Sequence, residues 1–344
     1  MSEKSISISF GKDKTAIIKG FAIIFMIILH CGIPEYYTEK MPFSENQLLV
    51  DCYKVLKLCV GIFTFMVGYG YAFSKTKDFH YSWAHIKKLL IPFWTILFVF
   101  TFPIAFYYNN LGSIDSVILN LFGINSYLNW FSWFVAFFIY AMIIMPFLSK
   151  IINQKPIWWT SFFIIVAYLV EASLHQFYPL YTNNDFTQRL FDCLLCTPCM
   201  LLGYLFANKQ WFSKVMIQRK DKWLFIAFLL VIAVFVLRFH ISAIMGFNLD
   251  FFYAPMFIFA VLILFNIFEL PLITKILTII GNASVYMWFF HALFFTKAVR
   301  SFYQPFILIS DSLWIIIPWT LFLTFTCSSL IILLTNKIKT FLHY

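Results

Sequence analysis

Charge is what this sequence has least of. Asp, Glu, Lys and Arg make up 12% of the 344 residues, and only 15 of those are acidic. Soluble domains run near 25% charged, so a water-soluble fold is excluded. Long polar stretches are also missing, and no segment between apolar runs is long enough for a separate soluble domain. The seven cysteines are Cys31, Cys52, Cys59, Cys193, Cys196, Cys199 and Cys327. Most sit within or at the ends of apolar runs, so no structural disulfide framework is expected. A Gly-rich phosphate loop, a nucleophile elbow and a zinc-protease motif are absent. That removes the corresponding nucleotide, esterase and metalloprotease chemistries from the candidate functions. No repeat relates the two halves of the chain, which counts against a transporter or a lipid-linked glycan flippase without closing that alternative. The first fourteen residues are polar, carry Lys4, Lys12 and Lys14, and lack the features of a cleavable signal. They are expected to be a cytoplasmic tail leading into a retained first helix.

What the chain has is hydrocarbon. It is 62% hydrophobic, with 46 Phe, 18 Tyr and 11 Trp, and its mean hydropathy is +0.84. Such a composition supplies lipid-facing surface and interfacial aromatic belts. The expected fold is all-α and polytopic. Ten apolar runs are long enough to span: roughly 15–33, 48–73, 89–108, 130–149, 157–175, 190–207, 223–245, 250–268, 276–299 and 312–335. The second run is interrupted by Asp51, Lys54 and Lys57, and the sixth is short and polar at its start. The stretch 111–125 reads as a re-entrant or interfacial piece. The net charge of +10 comes from short basic clusters between apolar runs, a pattern of topology rather than of nucleic-acid binding. With a cytoplasmic N-terminus, ten spans put every Lys and Arg on the inner side except Lys40, Lys54, Lys57, Arg189, Arg238, Lys297 and Arg300. Both termini, including a tail at 336–344, are then cytoplasmic, and 1–344 forms one transmembrane domain in the cell membrane.

Polar side chains inside such spans are functional candidates. Lys19 and His30 bracket an apolar run and are eleven residues apart. At about 100° per residue this is three turns plus roughly 20°, so both lie on one stripe, about 16 Å apart along the axis. His30 thus sits in the outer half of the first span, where it is either helix-packing glue or chemistry. His291 lies about fifteen residues into the ninth span, at a matching depth; the two imidazoles can share a cavity, or His291 can simply anchor a helix end. Lys87 and Lys88 open the third span as ordinary topology anchors, or with Lys19 form a basic inner mouth suited to phosphates. Asp51, Lys54, Lys57, Arg189, Asp192 and Arg238 lie toward the outer side. Asp51 with Lys54, and Arg189 with Asp192, are three apart and can pair on their own helices. Together the six suggest a polar outer cavity. Cys193, Cys196 and Cys199 have a metal-like spacing but sit in an apolar helix without a completing ligand, so they read as small-residue packing and no metal is expected. Glu171 and His175, four apart, read as a local pair.

Several segments resemble a known family. The stretch from Lys19 to His30 is similar to a first-helix signature of arginine, ten residues, then histidine, with lysine here in place of arginine. Val60-Gly-Ile-Phe63-Thr-Phe-Met-Val-Gly68-Tyr resembles a Phe-rich segment ending in Ser-Gly-Phe or Ser-Gly-Tyr, with Val67 in place of the serine. Lys87-Lys88-Leu-Leu-Ile-Pro92 resembles the basic stretch and proline that open the third helix. Ser132-Trp133-Phe134-Val135 followed by Pro146 resembles a Leu-Trp-Phe-Leu segment. Gly281-Asn-Ala-Ser-Val-Tyr-Met-Trp-Phe-Phe-His291 resembles a late Gly-x-x-Ser-x-x-x-Tyr-x-x-His segment. Together, in this order, they are similar to the acyltransferase family 3 membrane proteins. The resemblance implies about ten helices and an O-acyltransferase that moves an acyl group, most simply acetyl, from cytoplasmic acyl-CoA to a hydroxyl of an extracytoplasmic or lipid-linked glycan of the cell envelope. It implies His30 as catalytic base or acyl acceptor, with His291 as a candidate second catalytic base, proton shuttle or acceptor ligand. Lys19, Lys87 and Lys88 would hold the CoA, and Arg189 and Asp192 the sugar. Acyl-CoA is then a donor substrate, no cofactor is permanently bound, and the partners are acyl-CoA, the saccharide acceptor and membrane lipids, with no nucleic acid. No counterpart of the C-terminal esterase-like domain of some relatives is expected within these residues.

Overall fold

A computed structural model describes residues 5–176, 184–245 and 249–341. It is an all-α bundle, and the only strands among these residues are the two-residue pair Ile6–Ser7 and Met216–Ile217, joined antiparallel. The helices are α1 (Lys12–Cys31), α2 (Gln47–Val55), α3 (Leu58–Ala72), α4 (Phe79–Ile96), α5 (Phe102–Tyr107), α6 (Ile114–Asn120), α7 (Trp133–Gln154), α8 (Pro156–Gln176), α9 (Asp185–Asn208), α10 (Lys220–Met245), α11 (Asp250–Ile267), α12 (Pro271–Phe295) and α13 (Leu313–Phe341), with one helical turn at Arg300–Tyr303. A single π-helical turn, Leu97–Thr101, carries α4 into α5.

Eight helical stretches among the described residues are long and apolar enough to cross a membrane. The protein is therefore a polytopic all-α membrane protein. Every apolar run expected to span is helical, and one falls short of a full span on its own. The fifth is α8, whose 21 residues over Pro156–Gln176 reach about 31 Å. The second is broken: α2 ends at Val55, and α3 begins at Leu58. The expectation of one continuous helix over 48–73 is corrected here. Fifteen residues of α3 reach about 22 Å, less than the roughly 30 Å hydrocarbon layer. The turn at Leu56–Lys57 lets α2 leave the helix axis, so Asp51, Lys54 and Lys57 line a cavity instead of a lipid-facing stripe. The stretch 111–125 holds only the seven-residue α6. It is tied to α4 by the Trp94 indole, which donates to the Leu121 carbonyl at 2.8 Å. The side chains of Glu171 and His175 lie outside the described residues.

Two close parallel pairs organise the bundle. In the first, Gly20 of α1 lies against the Leu277 carbonyl of α12, and Gly281 of α12 against the Ala16 carbonyl of α1. A Cβ at either position would collide with backbone, so only glycine permits this approach. In the second, Gly68 of α3 and Gly203 of α9 make the same kind of mutual contact. Cys193, Cys196 and Cys199 are buried on α9, and the Cys199 thiol donates to the Gly61 carbonyl of α3. These small side chains sit in the tight helix packing. The outward surfaces of α10 and α13 are apolar and exposed, with Phe225, Phe228, Trp314 and Phe322 as examples.

One buried ion pair braces the side opposite the N-terminus. The Arg238 guanidinium on α10 donates to the Asp250 carboxylate on α11 and, through Nε, to the Val55 carbonyl at 2.8 Å. It also lies over the Tyr253 ring, 5.8 Å from its centroid. Three elements, α2, α10 and α11, are thereby joined at one charge.

Candidate functional site

The parallel α1–α12 contact acts as a ruler. His30 is ten residues beyond Gly20, and His291 is ten beyond Gly281. Each is carried about 15 Å along its helix from the shared contact. They meet there, with His30 Nδ1 at 2.8 Å from His291 Nε2. Both are buried, at 6% and 0% exposure.

The hydrogen bonds fix the proton positions of the neutral pair. His291 Nδ1 lies 3.1 Å from the Met287 carbonyl oxygen. A carbonyl only accepts, so Nδ1 carries the hydrogen and Nε2 carries the lone pair. His30 Nδ1–H therefore donates to His291 Nε2. This leaves the lone pair of His30 on Nε2, the free nitrogen of a ring that lines the cavity. The Phe131 ring stacks on His30 with centroids 3.8 Å apart and 13° between planes. The Tyr36 ring meets it edge-on at 5.5 Å. The imidazole is held on three sides.

His30 forms part of the floor of a cavity of about 1280 Å³. Its walls carry Asp51, Lys54, Lys57, Arg189, Asp192 and Arg238, the six polar residues that sequence placed toward one side. They arrive largely neutralised. Arg189 donates to Asp192 at 2.6 Å, and Lys54 to Asp51 at 3.0 Å. Aromatic rings provide the rest, among them Tyr36, Tyr127, Trp130 and Trp133. Lys297 lies over Trp130, 5.3 Å from its ring centroid. At the rim, burial, with the neighbouring Glu35 carboxylate adding to it, pushes the Tyr36 phenol up to about 12. Tyr36 therefore meets a ligand as a neutral hydroxyl.

The segment between α6 and α7 forms one side of this mouth. Buried Asn120 donates to the Asn125 side-chain oxygen at 2.8 Å and accepts from the Leu128 amide at 3.0 Å. Asn125 in turn donates to Asp185, at the start of α9, at 2.7 Å. These bonds pin an irregular chain so that Phe131 stacks on His30 and Trp130 lines the cavity beside Tyr36.

The basic residues are elsewhere. Lys19 is at the opposite end of α1 and does not line the His30 cavity. It lies close enough to Lys88 for the two charges to repel. Lys87 and Lys88 are exposed on α4. The structure thus gathers His30, His291, Arg189 and Asp192 in one region and places Lys19, Lys87 and Lys88 toward the N-terminal face.

Sequence reasoning did not find Tyr36, Trp130, Phe131 or Asp250. Phe131 and Trp130 come from irregular chain, where no periodicity marks a buried face. The signal that was available for Asp250 is its charge at the start of an apolar helix, opposite Arg238 twelve residues earlier. Comparison with curated proteins and with solved structures gives no match. Residues 16–335 match the family model described as an acyltransferase domain. That match takes in both histidines and nearly the whole bundle; the chain belongs to acyltransferase family 3.

Proposed function

We propose that this membrane acyltransferase moves a short acyl group, most simply acetyl, from cytoplasmic acyl-CoA to a hydroxyl of an extracytoplasmic or lipid-linked glycan. The observation that carries the reading is the His30–His291 pair, in which His30 lines a large polar and aromatic cavity and His291 backs it from behind. A free imidazole nitrogen backed by a second, oriented imidazole is the arrangement of a general base with its positioning group. The cavity exceeds the 300–1,000 Å³ typical of small-molecule pockets, which suits a saccharide. Tyr36 and Trp130 offer flat apolar faces to sugar C–H groups. The Arg189–Asp192 pair offers both donors and acceptors to hydroxyls.

In the proposed reaction His30 Nε2 takes the proton of the acceptor hydroxyl as its oxygen attacks the thioester carbonyl. The tetrahedral intermediate then collapses, the C–S bond breaks, and the CoA thiolate leaves with the proton from His30. Positive charge that builds on His30 is shared through Nδ1–H with the lone pair of His291. Lys19, with Lys87 and Lys88, would hold the CoA phosphates on the cytoplasmic side, where both termini also lie. The roughly 16 Å between Lys19 and His30 along α1 would be bridged by the pantetheine arm. A lysine supplies a point charge there rather than the bidentate fork of an arginine.

The test is mass analysis of surface glycans from cells with and without the protein, paired with free-CoA release by the purified protein in proteoliposomes. Loss of an acyl mass from one glycan on deletion is the expected result. Unchanged glycans together with no acceptor-dependent CoA release would refute the reading.

A further inference from the structure

Trp288 is the only tryptophan among the described residues that is buried in the core, at 5% exposure. It stands three residues before His291 on α12, so the two side chains share a helix face. Its ring is boxed in. Phe63 of α3 stacks on it with centroids 6.2 Å apart and 16° between planes, and Phe134 of α7 meets it edge-on at 4.8 Å. Buried indoles ordinarily give their N–H to an acceptor. Elsewhere in this protein Trp94 donates to the Leu121 carbonyl and Trp319 to the Phe306 carbonyl. Trp288 has no acceptor among the described residues. Its nitrogen is not among the enclosed, unpartnered atoms either. It therefore keeps some exposure, and Trp288 lines the cavity together with His30, Phe63 and Phe134. A rigid, unpaired donor on the floor of a reaction cavity is a group whose partner arrives with the substrate.

We infer that the indole N–H of Trp288 binds the carbonyl oxygen of the acyl thioester and stabilises the oxyanion formed when the acceptor hydroxyl attacks. This rests on the acyl-transfer reading above and adds to it the group that receives the negative charge. The balance is simple. Attack forms the new C–O bond and moves the carbonyl π pair onto oxygen, where Trp288 donates a hydrogen bond without giving up its proton. Collapse returns that pair to the carbonyl and expels the thiolate, which His30 protonates. Because Phe63 and Phe134 already fix the ring, the donor needs no reorganisation during the step. Trp288 and His30 line the same cavity, so in this reading the acyl group lies between the donor on α12 and the base on α1. His291 is turned toward His30 and the Met287 carbonyl, so it supplies no donor to that oxygen.

Two variants isolate the N–H. Trp288→Phe keeps an aromatic ring in the box. Replacing Trp288 by 3-benzothienylalanine keeps the bicyclic shape and puts sulfur where the N–H was. The probe is acetyl-CoA with a glycan extract from the host as acceptor, read as acceptor-dependent CoA release and acylated product. Removal of one oxyanion donor lowers kcat by about 10²–10³-fold in other acyl-transfer sites, and both variants should fall in that range with KM for acetyl-CoA little changed. Thermal unfolding of the benzothienyl protein should match wild type. If that protein keeps kcat within a few-fold of wild type, Trp288 is a packing residue and the inference fails while the acyl-transfer reading stands. If wild-type protein itself makes no acylated product from acetyl-CoA or longer acyl-CoA donors, both fail together.

Discussion

His291→Phe is the most informative single change at the site, because the structure says what it would leave behind. The substitution fills most of the volume but removes the acceptor of His30 Nδ1–H, which sits 2.8 Å from His291 Nε2 in a fully buried contact. An orphaned buried donor costs about 1–3 kcal/mol. If that cost falls on the arrangement that holds His30 in its productive tautomer, 1.4 kcal/mol per tenfold converts it to a loss of roughly 5–150-fold in kcat. His291→Gln is the matched control, since its side-chain oxygen can still accept from His30. The expected order of kcat is wild type, then His291→Gln, then His291→Phe, with His30→Gln below all of them. The assay is acceptor-dependent CoA release in proteoliposomes, at matched protein levels and with thermal unfolding measured alongside. Equal activity for His291→Phe and wild type would refute the positioning role and the tautomer assignment with it. Equal loss in His291→Gln and His291→Phe, with unchanged unfolding, would mean that accepting a hydrogen bond is not what His291 contributes.

Four further outcomes are expected. His30→Gln keeps size and hydrogen bonding but removes the base, so glycan acylation should drop by about 10²–10⁴-fold while membrane insertion is normal; near-wild-type product by mass analysis would rule out the base role. Lys19→Ala should raise KM for acyl-CoA while Lys19→Arg preserves it, and unchanged donor kinetics in Lys19→Ala would reduce the lysine to a topology anchor. Asp250→Asn leaves the buried Arg238 charge without its counter-ion, and breaking a buried pair in this way costs about 3–5 kcal/mol, so thermal unfolding should shift well below wild type; a shift no larger than that of an exposed Lys40→Ala control would contradict the buried-pair assignment. Gly281→Val should prevent the α1–α12 approach and abolish activity together with folding, judged by detergent-solubilised monodispersity, and a well-folded active variant would show that the close approach is not required.

Much of the fold could be read from hydropathy because the membrane imposes one rule on every span: twenty or so apolar residues with their backbone bonds satisfied internally. The start and end of α1, α7, α9, α11 and α12 follow from that rule to within five residues. The matched depth of the two histidines was also legible, by counting residues along helices that enter from the same side. What counting does not give is contact. His30 and His291 touch because Gly20 and Gly281 let α1 and α12 approach backbone to backbone, and two glycines ten residues upstream of two histidines is a pattern that no single-helix reading weighs. The contribution of 121–132 was hidden for a different reason. Its order comes from the side-chain bonds of Asn120 and Asn125 rather than from a repeating burial pattern, so nothing periodic announces that Phe131 will stack on His30.

The broken second span ties these observations together. A continuous helix over 48–73 would have carried Asp51, Lys54 and Lys57 along a stripe in the bilayer, where charged side chains cost at least about 2.5–3.5 kcal/mol each at the centre. Three such residues in one span are costly unless they leave the lipid. The chain resolves this by ending α2 at Val55 and restarting at Leu58, with the Val55 carbonyl capped by Arg238. That one bond makes the break and the buried ion pair interdependent: the carbonyl needs a donor, and the guanidinium needs an acceptor besides Asp250. The charges that made this span one of the two least span-like in the sequence are ones that line the cavity with His30. A weak span in an otherwise strongly apolar bundle is then a pointer to the site, because only a polar ligand or water-filled space on one side of the helix makes such residues tolerable there.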